Sequence, residues 1–141
     1  LRFTALRWLL PPTKDANGLR QLPRRRFDRD FVQQLVPAER ALVYRDQVVP
    51  APRRVIYQAA LGIGTRIRYA NDERAPLLLV AAGKDRVVPA TTVYGNDRRH
   101  LVSAARTAYK SFDGRSHWLI AGPGWEDVAD HAIEWLTNQS I

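Results

Sequence analysis

The chain contains no cysteine and no methionine. Without cysteine there are no disulfides, no thiolate metal site and no cysteine nucleophile. The missing methionine, together with a start at Leu1, predicts a processed, truncated or partial chain. Long apolar runs are also missing, and none approaches the ~20 residues needed to cross a bilayer. The first ten residues, Leu-Arg-Phe-Thr-Ala-Leu-Arg-Trp-Leu-Leu, are amphipathic but carry no small-residue cleavage site, unlike a signal peptide. A soluble, cytoplasmic protein without a membrane span is the expectation. Serine is scarce and late: Ser103, Ser111, Ser116 and Ser140 are the whole set, and none precedes residue 103.

At 141 residues the chain has the size of one domain. Its 45% apolar and 26% charged residues are ordinary for a soluble globular protein. Net charge is +8, with the densest basic clusters at Arg24-Arg25-Arg26 and Arg98-Arg99-His100. Such clusters suit nucleic acid or an anionic surface. No recognition motif or aromatic stacking run accompanies them. Solvated helix faces are the favoured reading, and nucleic acid is not an expected partner. No set of His, Asp and Glu has the spacing of a metal site. Neither metal nor cofactor is expected.

Residues 1–10 follow helical spacing until Pro11-Pro12, and Asn17-Gly18 marks a turn. Phe27 to Leu35 reads as a short helix. Pro37 opens another through Ala41, Leu42 and Tyr44, broken at Val48-Val49-Pro50. A third fits Pro52 to Leu61, closed by Gly62 and Gly64. No convincing strand occurs before residue 65. At Pro76 the character changes. Leu77–Ala82 is continuously apolar, as in a strand buried on both faces. Thr91 or Thr92 can cap a helix to about Ala105. A second strand fits Arg106–Phe112, and Pro123 opens a last helix with Val128, Ala132 and Leu136 on one face. Strand, helix, strand at this spacing is a βαβ unit with a parallel pair. Two strands leave open edges, which predicts completion by another chain or a second copy.

Each strand runs into a glycine-bearing turn with a reactive group. Gly83-Lys84-Asp85 follows the first strand, and Asp113-Gly114-Arg115-Ser116-His117 follows the second. In open α/β sheets chemistry sits beyond the carboxyl ends of strands. One helix and one strand fill the gap from Asp85 to His117, returning the chain to the same end of the sheet. A histidine acts as general base near neutral pH, and a buried carboxylate holds its tautomer and stabilises the imidazolium. Alone, Asp85 reads as a turn residue and His117 as a backbone-bonded histidine. Paired at two strand ends, they read as acid and base. His100 and His131 read as surface residues.

The segments Pro-Leu-Leu-Leu-Val-Ala-Ala-Gly-Lys-Asp-Arg-Val-Val-Pro and Phe-Asp-Gly-Arg-Ser-His-Trp resemble the last part of an α/β-hydrolase. In that family a strand ending in Gly-x-Asp-x-x-Val-Pro carries the triad acid, and a later Gly-x-x-His carries the histidine. The resemblance implies Asp85 as acid and His117 as base. It implies a helical cap-like segment over 1–75, a core segment over 76–141, and a partial α/β-hydrolase fold of short parallel strands flanked by helices. Carboxylic ester hydrolysis on a small-molecule ester is the implied activity. The family order is Ser, Asp, His with the serine in Gly-x-Ser-x-Gly. No such motif occurs here, so the nucleophile is not identified. Ser116 is the best placed candidate. Its competing role is that of a loop hydroxyl bonding the backbone. Two alternatives stand beside esterase action: an inactive truncated fragment that folds as a homo-oligomer through its open strand edge, and a basic anion- or nucleic-acid-binding module.

Overall fold

A computed structural model describes residues 19–139. The expected helix over 1–10, the Pro11-Pro12 break, the Asn17-Gly18 turn and Ser140 lie outside the described residues. The architecture is mixed α/β, with one short antiparallel and one short parallel sheet among the described residues. These residues divide into two compact units. One takes 19–29 and Val36–Ile67, and the other takes Asp30–Leu35 and 68–139.

The first unit contains the antiparallel pair β1 (Leu19–Arg20) and β2 (Ala51–Pro52), with Arg20 opposite Ala51. The sequence reading expected no strand here, because two-residue strands are too short for any alternation to register. Helix α1 (Arg24–Asp30) is followed by α2 (Pro37–Gln47) and α3 (Arg53–Leu61). Pro37 occupies the first turn of α2, where its missing N–H costs nothing. Val48 leaves the helix in extended geometry two residues before Pro50. Helix α3 closes on Gly62 at φ 73°. Gly62 donates to Ala59 O at 3.2 Å and Ile63 to Gln58 O at 2.8 Å, the paired bonds of a Schellman turn. Phe27 meets Tyr44 edge-on at 5.5 Å, and the Tyr44 hydroxyl donates to Leu22 O at 2.7 Å.

The expected helix over Phe27 to Leu35 ends early. Helix α1 stops at Asp30, and residues 31–35 form a turn closed by the Leu35 N–H donating to Val32 O at 3.0 Å. Val32 and Leu35 are buried in the second unit. Tertiary burial of these two side chains overrides the i, i+4 spacing of Phe27, Phe31 and Leu35.

The second unit is built on β3 (Leu77–Ala82) and β4 (Thr107–Phe112), paired in parallel from Leu77 opposite Thr107 to Ala82 opposite Phe112. Helix α4 (Ala90–His100) joins them and packs on both strands, with Tyr94 edge-on to Tyr109 at 5.6 Å. Its cap differs from expectation. Pro89, at φ −53° and ψ 140°, takes the N-cap, and neither Thr91 nor Thr92 caps it. The helix also stops at His100 rather than near Ala105. Beyond that point Asp72 Oδ1 accepts the Ala104 N–H at 2.7 Å, and Ser103 Oγ accepts the Ala105 N–H at 3.1 Å. Side-chain oxygens thus take over donors that a longer helix would have used. His100, expected at the surface, is buried and stacks edge-on against Tyr69 at 4.9 Å.

Helix α5 (Trp125–Thr137) starts two residues after Pro123, behind Gly124 at φ 75°. Its inward stripe is turned from the expected one. Val128 is buried and His131, Ala132 and Trp135 are half-buried, whereas Ile133 and Leu136 are exposed.

At the carboxyl ends of the strands the two chains run very close. A Cβ placed on Gly83 would lie 2.5 Å from both Cα and O of Asp113, so only glycine allows this approach. Gly114 has open space around its Cα and no positive φ. Gly83→Ala is therefore expected to cost about 1–3 kcal/mol through forced backbone displacement, and Gly114→Ala to stay within about 0.5 kcal/mol of the parent. Urea unfolding of the two variants checks this, and equal stabilities would contradict it.

Candidate active site

Asp85 follows the end of β3 by three residues and His117 follows the end of β4 by five. Parallel pairing puts both turns at one edge of the sheet. The turns are tied by the Gly83 N–H donating to Phe112 O at 3.0 Å and the Lys84 N–H donating to Arg115 O at 2.8 Å. Beyond these ties Asp85 Oδ2 lies 2.8 Å from His117 Nδ1. The two residues singled out from sequence are brought together.

The Asp85 carboxylate is fixed at both oxygens. Oδ1 accepts the N–H groups of Val87 at 2.7 Å and Val88 at 2.8 Å, which holds the turn that leads into α4. Oδ2 is left for the imidazole. The Asp85 side chain is 7% exposed and that of His117 is 30% exposed, so the acid is enclosed and the base is reachable. Burial alone would push the Asp85 carboxyl up. The bond to His117 and those from Val88 and Val87 outweigh it together, and the carboxyl sits below its ordinary value of 3.8.

An ionised carboxylate only accepts, so the hydrogen between the two groups resides on His117 Nδ1. Nε2 then carries the lone pair. Among the described residues no side chain forms a hydrogen bond with Nε2. Phe31 meets the imidazole edge-on at 4.7 Å, with ring planes at 89°. The arrangement can take a proton at Nε2 and return it, with Asp85 compensating the charge.

Ser116 sits beside His117 but does not join the pair. It is 2% exposed, and its Oγ accepts the Trp118 N–H at 3.4 Å. Its N–H donates to Gln34 Oε1 at 2.8 Å, and no bond links its hydroxyl to the imidazole. This is the geometry of a loop hydroxyl satisfying the backbone.

Sequence reasoning missed several residues here. Gln33 Nε2 donates to Lys84 O at 2.7 Å, and Gln34 Nε2 donates to Gly114 O. Arg115 donates to Pro123 O and pairs with Asp127 at 2.6 Å, joining the histidine turn to the start of α5. Nothing in the local sequence marks a glutamine pair in a turn as a clamp. The one available signal is the flanking of Gln33-Gln34 by two apolar residues, Val32 and Leu35, whose burial anchors them.

Among the described residues no group of three or more His, Asp or Glu converges as metal ligands. None of the helices described is long and apolar enough to cross a membrane. No protein-family model, curated protein or solved structure matches the chain.

The lowered Asp85 carboxyl predicts a pH dependence with a definite sign. The folded state binds this proton less tightly than the unfolded state, so acid favours unfolding. The stabilisation is fully present above the ordinary value of 3.8 and is lost as pH falls through the lower folded value. Asp85→Asn should be less stable than the parent above about pH 5, and the difference should shrink below pH 3.8. Denaturant unfolding at stepped pH measures it, and a gap that widens on acidification would contradict the assignment.

Proposed function

We propose that the chain carries the acid and base of a carboxylic ester hydrolase of the α/β-hydrolase kind. The single observation that supports this reading is the Asp85–His117 contact at 2.8 Å, with the other carboxylate oxygen anchored and Nε2 available. His117 Nε2 takes the proton from an attacking hydroxyl as it adds to the ester carbonyl. The same nitrogen returns a proton to the departing alkoxide. Asp85 keeps Nδ1 protonated and stabilises the imidazolium formed between the two steps. The attacking hydroxyl is not identified in this chain. Ser116 fits this role poorly, because its buried Oγ is turned toward Trp118 N–H.

Turnover of a short-chain nitrophenyl ester tests the reading. General acid–base catalysis contributes about 10²–10⁴-fold, and His117→Ala should lose an amount of that order. Asp85→Asn should lose activity as well, and Ser116→Ala should keep it. Unchanged turnover in His117→Ala would remove the hydrolase reading. Abolished turnover in Ser116→Ala alone would make Ser116 the nucleophile.

A second reading, a non-catalytic chain that self-associates through β3, is favoured by one observation. Leu77, Leu78, Leu79 and Val80 form an unbroken apolar run, yet all four are only half-buried. The Leu77 and Gly83 N–H groups point to β4, so by the two-residue period those of Leu78 and Val80 point away from it. Strand β4 carries exposed Lys110, a charge of the kind that guards an edge. Strand β3 has no such guard. Light scattering is expected to give a mass above the 16.1 kDa of one chain. Val80→Pro removes an outward N–H, is tolerated on an edge, and should return the mass to that of one chain. A folded, monomeric parent would exclude self-association.

A further inference from the structure

We propose that Gln33 and Gln34 are positioning residues that hold the acid turn and the histidine turn in catalytic register. The strand ends alone do not secure this. The last backbone ties between the turns are Gly83 to Phe112 and Lys84 to Arg115, and both precede the reacting pair. Past that point the glutamines take over. Gln33 Nε2 donates to Lys84 O at 2.7 Å, one residue before Asp85. Gln34 grips the other turn at two points: Nε2 donates to Gly114 O, and Oε1 accepts the Ser116 N–H at 2.8 Å. These two backbone groups flank Arg115 and end one residue before His117.

The chemistry explains why glutamine serves here. A carboxamide donates from its nitrogen and accepts at its oxygen without charge, and it therefore matches a carbonyl and an N–H presented together by the backbone. A glutamate accepts only and repels the Gly114 carbonyl. A lysine donates only. The strap is itself anchored, because Val32 is 0% and Leu35 7% exposed, and the Val32–Leu35 turn bond fixes the two amides between them. Phe31 of the same segment lies against the imidazole. One five-residue turn thus touches the acid turn, the histidine turn and the base.

The consequence for turnover rests on the hydrolase reading; the consequence for the Asp85–His117 geometry does not. The test uses the full chain with Gln34→Met and Gln33→Met, which keep size and remove the amide. The readout is the nitrogen NMR shift pattern of the His117 imidazole, assigned by its loss in His117→Ala. The parent should show His117 held as the Nδ1–H tautomer. Gln34→Met, while still folded, should show a mixture of tautomers at neutral pH. Gln33→Met should move in the same direction. Gln34→Glu, which keeps the bond from Ser116 but repels the Gly114 carbonyl, should also depart from the parent. If ester turnover is present, kcat should fall about 10–10²-fold with KM unchanged.

A parent already in mixed tautomers, or an unchanged pattern in both methionine variants, overturns the proposal. Should Gln34→Met unfold, Gln33→Met decides alone, and an unchanged pattern there is also contrary. A parent without esterase activity whose tautomer is lost in Gln34→Met removes the hydrolase reading and leaves the positioning role intact. Activity that needs His117 but ignores both glutamines removes the positioning role alone.

Discussion

The approach of Gly83 to the backbone of Asp113 governs the carboxyl end of the parallel sheet. Parallel pairing with Ala82 opposite Phe112 makes both strands finish on one line. The missing side chain at residue 83 lets the two turns continue side by side instead of splaying. Two further backbone bonds across the turns then fix where Lys84 and Arg115 lie. Asp85 and His117 follow within two residues of those positions. Their contact therefore starts from strand register and one glycine, to which the local bonds of Asp85 to Val87 and Val88 and the contacts of Gln33 and Gln34 are added.

At that edge the carboxylate and the imidazole receive different surroundings. Asp85 is enclosed, and its oxygens are divided between two backbone donors and one ring nitrogen. An enclosed carboxylate is costly unless it is fully bonded, and this one is. His117 is the more exposed member and keeps one nitrogen unbonded. Enclosure of the carboxylate and access to the imidazole is the polarity that the proposed proton transfer needs. Ser116, adjacent in the chain to His117, is turned the other way by its bond with Trp118 and by the Gln34 amide.

The second unit also carries more apolar surface than it covers. Strand β3 has the composition of a strand buried on both faces but is half-buried over most of its length. On α5, Ile133 is 60% and Leu136 62% exposed. The apolar positions on α5 follow a wider stripe than the face that packs inward. The difference between these two faces is what turned the helix away from the stripe expected of Val128, Ala132 and Leu136.

Strand β3 was legible to the residue, because an apolar run bounded by Pro76 and Gly83 has few other solutions. Helix α2 and the glycine stop of α3 were legible for similar reasons, since proline and glycine act on their own backbone. The early ends of α1 and α4 were not. In α4 the deciding oxygen belongs to Asp72, and in α1 the deciding contacts are those that bury Val32 and Leu35. Asp85 and His117 were visible as a pair because strand, helix and strand return the chain to the same edge. By itself, the sequence determined the parallel pair β3 and β4, their order and the placing of Asp85 and His117 just beyond their ends, all of which depend on short-range backbone chemistry. Only the tertiary structure decided the strap of Gln33 and Gln34 and the burial of His100. Each of these depends on partners tens of residues away, and no local pattern encodes such distances.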